Sequence, residues 1–188
     1  MKKKILFLGY TTKKTILISF LRKKNFFVRV HGQKLLIFKD AKNYDIIISF
    51  GYNKILKEDL LEKLSRPPIN LHISYLPYNR GAHPNFWSFI NKTPKGVSIH
   101  EINKGIDRGG IIARKKVIFK LDNNLTFSNT YQKLIVEVEN LFKRNLKKII
   151  NNEYKFIKPQ FKGSYHKKKN LPKNLKNWDM VIKKYLKN

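Results

Sequence analysis

The sequence predicts a three-layer α/β domain with a mainly parallel sheet, and three observations carry that prediction. Short apolar runs alternate with helical segments along the chain, the order that lays helices over both faces of a parallel sheet. One of the runs, Tyr44 to Phe50, is nearly continuous, as expected of a strand covered on both faces. The 188 residues are 41% hydrophobic and 13% aromatic, enough to bury the core of one domain and to exclude wholesale disorder.

The elements follow in order. Lys4 to Leu8 is a first strand ended by Gly9, and Ile16, Leu17, Phe20 and Leu21 recur at helical spacing behind it. Phe26 to Val30 is a second strand before a turn at His31-Gly32-Gln33, and Leu35 to Phe38 is a third apolar run. After Tyr44 to Phe50 and its terminating Gly51, a helix is expected over Leu56 to Leu64, with Glu58 and Asp59 in its first turn and Pro67-Pro68 beyond its end. Ile69 to Ser74 is the next strand, Pro84 to Asn91 a helix with Pro near its start, and Val97 to Ile102 and Ile111 to Phe119 the last strands. Thr126 to Asn151 is a long amphipathic helix. Residues 1–151 thus read as the main α/β domain, and 152–188, where apolar density drops, as a basic C-terminal extension with a short helix around Trp178 to Leu186.

Composition narrows the function classes. The net charge of +29 and pI of about 10.3 raise a nucleic-acid reading. Lysine nevertheless far outnumbers arginine and is spread over ordinary-looking helices, the pattern of solvated faces, so nucleic acid is not the expected partner. With no cysteine, a disulfide framework, a thiolate nucleophile and a Cys-containing zinc site are all excluded. Gly9 and Lys13-Lys14 cut the opening apolar run well short of a signal peptide, and no stretch has the length of a membrane span. A soluble, cytoplasmic protein without membrane partners is the expectation.

Chemistry concentrates on one strand and two loops. Asn70, His72 and Ser74 alternate along Ile69 to Ser74, so period two gathers their side chains on one face against Ile69, Leu71 and Ile73. The loop Tyr75 to Gly81 adds Tyr78, Asn79 and Arg80, and Gly105-Ile106-Asp107-Arg108-Gly109-Gly110 supplies a carboxylate between glycines. An amide, an imidazole and a carboxylate suit acyl transfer to an amine: the amide donates to a developing oxyanion, His moves a proton, and Asp orients or stabilises it. The acceptor amine is its own nucleophile, and no metal is expected. A strand facing water, or a core histidine satisfied by a hydrogen bond, would explain the trio equally well on spacing alone.

The stretch Asn70-Leu71-His72-Ile73-Ser74-Tyr75-Leu76-Pro77, with Arg80-Gly81, Gly96-Val97-Ser98-Ile99-His100 and Gly105-Ile106-Asp107, closely resembles the folate-dependent formyltransferase family. The resemblance implies a Rossmann-like formyltransferase domain using 10-formyltetrahydrofolate as formyl donor, with Asn70, His72 and Asp107 matching the catalytic trio. It further implies that Gly51, Tyr52, Lys54, Ile55 and Leu56 belong to the segment whose backbone holds the pterin, and that Ile102 and Gly105 belong to the loop closing that pocket. Leu76 to Gly81, Pro84-Asn85-Phe86-Trp87-Ser88, Thr93 to Val97 and Gly163-Ser164-Tyr165-His166 with Lys168 look most like the sugar N-formyltransferases. The implied acceptor is the amine of a nucleotide-linked amino sugar, with Tyr10, Tyr78, Asn79 and Arg80 as substrate-binding candidates. Methionyl-tRNA formyltransferase, another small-amine formyltransferase, or a basic nucleic-acid-binding protein on the same scaffold are the alternatives. The resemblance also implies a homodimer. Trp87 is expected to be packing, His100 structural or supporting, and His166 a surface residue. Two departures stand out: Gly110 occupies a position where relatives commonly carry Asp, and the chain ends at Asn188, short of most sugar formyltransferases and without room for the C-terminal domain of the tRNA enzyme.

Overall fold

The computed structural model describes residues 2–187. In chain order it contains β1 (Lys4–Gly9), α1 (Leu17–Lys23), β2 (Phe27–Gly32), α2 (Phe38–Ala41), β3 (Ile46–Phe50), α3 (Glu58–Glu62), β4 (Ile69–His72), β5 (Arg80–Gly81) and α4 (Pro84–Ile90). There follow β6 (Gly96–Glu101), β7 (Ile111–Lys116), α5 (Phe127–Asn151), β8 (Tyr165–His166) and α6 (Ile182–Tyr185). Six strands form the main sheet in the order β2-β1-β3-β4-β6-β7. The β2, β1, β3 and β4 pairings are parallel, whereas β6 runs antiparallel to β4 and to β7. The α/β layering and the parallel core of the sheet are as the sequence predicts.

Strand alternation divides the core. Ile5 and Phe7 of β1, Ile48 and Phe50 of β3, and Ile69 and Leu71 of β4 face one side, where they bury against Leu17 and Leu21 of α1 and Leu134, Val138 and Phe142 of α5. Leu6, Leu8 and Ile47 face the other side, under Leu36, Ala41 and Leu60. That second layer ends at β3. Beyond it Ser49, Asn70, His72, Ser98 and His100 share the second face in a polar row, because Ser49 pairs with Asn70, Asn70 with His100 and His72 with Ser98.

Long α5 is set by a capping box: Thr126 accepts from the Asn129 N–H, and the Asn129 side chain accepts from the Thr126 N–H. Its apolar stripe lies on the sheet. Glu139, on the same face and 5% exposed, accepts from the Thr15 hydroxyl and the Ile16 N–H, docking α5 onto the start of α1.

The apolar run Leu35 to Phe38 forms no strand: of the run only Leu36 is buried, and Phe38 begins α2. Two expectations are corrected. Ser74 is not on the catalytic strand, which ends at His72; its hydroxyl donates to the Tyr78 carbonyl at 2.6 Å and closes a turn. The terminal helix is only Ile182–Tyr185.

The segment from residue 152 runs back across the body. Ile157 bridges to Ile111, β8 pairs with β5, and Val181 bridges to Thr126. Ile182 is fully buried with Phe86, Phe89 and Phe127.

Candidate active site

Beyond the carboxyl ends of β1, β3 and β4 lies a cavity of about 690 Å³, where open α/β sheets collect ligands. Asn70, His72 and Asp107 meet on its floor. β4 presents Asn70 and His72 on the polar face, and the loop between β6 and β7 brings in Asp107, whose φ is +50. One Asp107 oxygen accepts the Gly81 N–H at 2.8 Å; the other lies 3.5 Å from Asn70 Nδ2 and 3.5 Å from His100 Nε2.

His100 supports Asn70 from the next strand. Its Nδ1 faces the Glu101 carbonyl at 2.7 Å, an acceptor only, so Nδ1 carries the proton there and Nε2 receives the Asn70 amide at 3.1 Å. The Asn70 side chain is thereby oriented with its nitrogen toward the carboxylate and the cavity floor.

His72 is the buried base of the group. Its Nε2 has no hydrogen-bond partner and lies 3.6 Å from Asp107 Oδ2, outside hydrogen-bond range. The nearby Asn79 backbone favours the protonated ring. Burial pushes the His72 pKa below its ordinary value, His100 adds to that, and the Asp107 charge opposes it. Burial alone would raise Asp107, yet His72, His100 and the Gly81 N–H together hold its carboxyl well below the usual carboxylate range. The result is an ionised carboxylate beside a neutral imidazole with a free lone pair.

The residues ascribed to the pterin segment all line this cavity: Gly51, Tyr52, Lys54, Ile55 and Leu56 on one wall, Ile102 and Gly105 on another. Gln33 fixes the first wall, its Nε2 donating to the Gly51 carbonyl at 2.7 Å and its Oε1 accepting the Asn53 N–H at 2.9 Å. The Tyr52 hydroxyl donates to the Lys34 carbonyl and accepts the Leu36 N–H. Tyr10 packs over Gly51, where a Cβ would meet its ring at 2.2 Å, and shares a hydrogen bond with the Tyr131 hydroxyl.

Of the four substrate-binding candidates only Tyr10 reaches the cavity. Asn79 is fully buried, its amide nitrogen donating to Thr93 and its oxygen accepting from Ser164, so its side chain is out of a ligand's reach. Tyr78 packs on Phe161, and Arg80 leans on the Ser164 carbonyl in the β5–β8 ribbon. The same ribbon puts His166, expected at the surface, into the cavity, together with Tyr165, Lys167 and Lys168. His166 stacks on Trp87 with ring centroids 4.2 Å apart and planes 9° from parallel, and Trp87 is packing, as expected. Gly81 has φ +87, and a Cβ there would strike the His166 carbonyl at 2.4 Å, so the N–H that holds Asp107 depends on a glycine. Gly110 lies under the ring of Phe156, and a Cβ would meet it at 2.5 Å; the tail therefore fills the place where relatives commonly carry an acid.

Comparisons with known proteins agree with this geometry. A family model described as formyl transferase matches residues 1–145. The formyltransferase PseJ from Anoxybacillus kamchatkensis, solved with UDP-4,6-dideoxy-4-formamido-L-AltNAc and tetrahydrofolate, superposes with a TM-score of 0.86 at 40% identity, over 96% of each chain. The bifunctional polymyxin resistance protein ArnA of Wigglesworthia glossinidia brevipalpis is 35% identical over 127 residues, 66% of this chain and 19% of that protein. The methionyl-tRNA formyltransferase of Finegoldia magna is 29% identical over 129 residues, 68% of this chain and 40% of that one. The chain thus spans well under half of either of these curated relatives, while matching PseJ nearly end to end. With residues 1–145 inside the family model and the Asn70, His72 and Asp107 cluster folded at the sheet's carboxyl edge, the chain belongs to the formyl transferase family.

Proposed function

We propose that the chain transfers a formyl group from 10-formyltetrahydrofolate to the exocyclic amine of a nucleotide-linked amino sugar. The observation that carries this reading is the meeting of an amide donor, an unpartnered imidazole nitrogen and an ionised carboxylate on the floor of the 690 Å³ cavity. The likeness to PseJ over both chains supports the acceptor class, since that enzyme was solved with a formylated UDP-sugar and tetrahydrofolate. The donor suits the cavity's first wall: Ile55 and Leu56 offer an apolar surface, and the backbone of 51–53 offers polar groups once the exposed Gln33 amide moves aside.

Each residue then has one task. The acceptor amine attacks the formyl carbon, and Asn70 Nδ2 donates to the formyl oxygen as negative charge develops there. His72 Nε2 takes the proton released by the amine and returns it to the departing folate nitrogen as the formyl C–N bond breaks. Asp107 sits too far for a hydrogen bond to His72 and acts through its charge, stabilising the transient imidazolium. His100 holds the Asn70 amide in register.

The test is formylation of a panel of nucleotide-linked amino sugars. Asn70→Ala is expected to lower kcat by about 10²- to 10³-fold, the usual cost of an oxyanion donor, and His72→Ala to do at least as much. Near-normal turnover in either variant would remove the mechanism. Strong tRNA binding with no sugar turnover would favour the tRNA enzyme's reading.

A homodimer and a cytoplasmic location belong to the same reading. No helix among the described residues is long and apolar enough to cross a membrane. Because α5 buries its apolar stripe on the sheet, a second copy would join through other surfaces, and a monomeric mass by light scattering would remove the dimer.

A further inference from the structure

Just past the end of α5 the tail returns to the sheet and meets the loop that carries Asp107. Asn152, with φ +60, ends the helix, and its N–H and that of Glu153 go back to the Ile149 and Lys148 carbonyls. Tyr154 follows, half-buried against the core, and its hydroxyl donates to Glu101 Oε1 at 2.8 Å. Burial, and then the Glu101 carboxylate, push the Tyr154 pKa above its ordinary value, so the hydroxyl keeps the proton it donates. Phe156 packs on Gly110, and the Ile157 N–H donates to the Ile111 carbonyl at 2.8 Å, lacing the segment to the start of β7.

Glu101 ends β6, and each of its polar groups is held. Its N–H donates to the Gly110 carbonyl at 3.0 Å, its carboxylate accepts from Tyr154, and its carbonyl accepts from His100 Nδ1 at 2.7 Å. That carbonyl is pressed on Gly109, where a Cβ would lie 1.8 Å from it. Alternation puts the Glu101 side chain with Val97 and Ile99 on the α5 side of the sheet, and His100 in the polar row on the other. An anchor on the α5 side therefore reaches His100 through the Glu101 backbone. The tautomer of the ring depends on it: with Nδ1–H on the carbonyl, Nε2 accepts the Asn70 amide. With the carbonyl turned away, a proton on Nε2 would oppose the Asn70 amide, donor to donor, and go instead to Asp107 Oδ1, 3.5 Å from that nitrogen. Asn70 would lose its support.

Resting on the formyl-transfer reading above, we propose that Tyr154 is a positioning residue for the reaction, acting through Glu101 and His100 to hold the Asn70 amide on the formyl oxygen. Tyr154 does not line the catalytic cavity, so the KM values of the two reactants do not depend on it. It also lies beyond residues 1–145, which the family model matches. The tail thereby takes a part in turnover that a purely structural strap lacks: its hydroxyl sets which nitrogen of His100 carries the proton.

The test uses the intact chain. Tyr154→Phe removes one hydroxyl and keeps the ring beside Phe156. For the nucleotide-linked amino sugar, kcat is expected to fall roughly three- to tenfold, less than the ~10²-fold of a 1 Å misplacement, with both KM values unchanged. In a His100→Ala background the same substitution should cost nothing further, because the path it acts through is gone. Ring-nitrogen magnetic resonance of the ¹⁵N-labelled chain, which has five histidines, should show His100 moving from the Nδ1–H toward the Nε2–H tautomer in Tyr154→Phe. Glu101→Ala, which removes the acceptor of the same hydroxyl, should reproduce both effects, and circular dichroism and melting curves separate a lost position from a lost fold. Unchanged kcat or an unchanged tautomer in the folded variants, or a Tyr154→Phe loss that persists in the His100→Ala background, overturns the proposal. A tautomer shift in a chain that formylates no amino sugar upholds the link from Tyr154 to His100 while the formyl-transfer reading falls. Formylation with an unchanged kcat in the variants does the reverse.

Discussion

His72 and Asp107 form a pair in which the imidazole is kept neutral by burial and the carboxylate is kept ionised by its neighbours. The neutral imidazole is the active form, so activity is lost as pH falls and His72 takes its proton. The acid limb of kcat/KM is expected to lie below the ordinary imidazole value of 6.5. Asp107→Asn removes the charge that favours the imidazolium, so the limb should move further down in pH while kcat falls for want of a counter-charge. A limb that moved upward would reverse the assigned roles. Stability follows the same signs. The folded pKa of His72 is depressed, so its contribution is present above the unfolded value and is lost as pH falls below it; that of Asp107 is present above about 3.8 and is lost as pH falls through the depressed folded value. At this scale the trio was legible because alternation places Asn70 and His72 on one face. His100 was legible as a supporting residue but its partner was not, since it reaches Asn70 by antiparallel pairing, and Gly81 was missed because it reaches Asp107 only through the β5–β8 ribbon.

The elements that complete the site come from far along the chain. β8 pairs with β5, which carries the Gly81 N–H onto Asp107, and α6 pins the tail by burying Ile182 against Phe86, Phe89 and Phe127. Ile182→Ala should cost about 2–5 kcal/mol, as for other fully buried Ile-to-Ala truncations, lowering Tm by roughly 4–20 °C in a domain of this size. A melting curve within a degree of the parent would mean the tail is merely draped on the body. The sequence reading made 152–188 a basic extension because periodicity needs runs, and the tail is held instead by isolated contacts at Ile157, Val181 and Ile182. The same limit hid Asn79: nothing local shows that Ser164 returns to satisfy its amide. The long, regular elements were legible for the opposite reason, since α5 declares its stripe over 25 residues and β3 its burial over five.

For the whole molecule, the charge must be weighed against the site. With 41 Lys and Arg against 12 Asp and Glu, most cations have no acidic partner available, and pairs such as Lys104–Glu58 lie on the exposed surface, where they contribute little. An excess spread over the surface attracts any anion, whereas Lys54, Lys104, Lys167 and Lys168 line the catalytic cavity itself. A field of this kind raises the encounter rate of an anionic acceptor and is screened once the Debye length shrinks from about 30 Å at 0.01 M salt to about 8 Å at 0.15 M. For the nucleotide-linked amino sugar, kcat/KM should therefore fall on the order of tenfold across that range, while kcat, set by the half-buried Asn70, His72 and Asp107 on the cavity floor, stays nearly constant. Steady-state kinetics at fixed saturating formyl donor and varied ionic strength distinguish the cases. A flat kcat/KM would make the cations a compositional background with no part in capture, and a kcat that fell with salt would place a screened, exposed charge in the chemical step, against the shielded position of all three residues on the cavity floor.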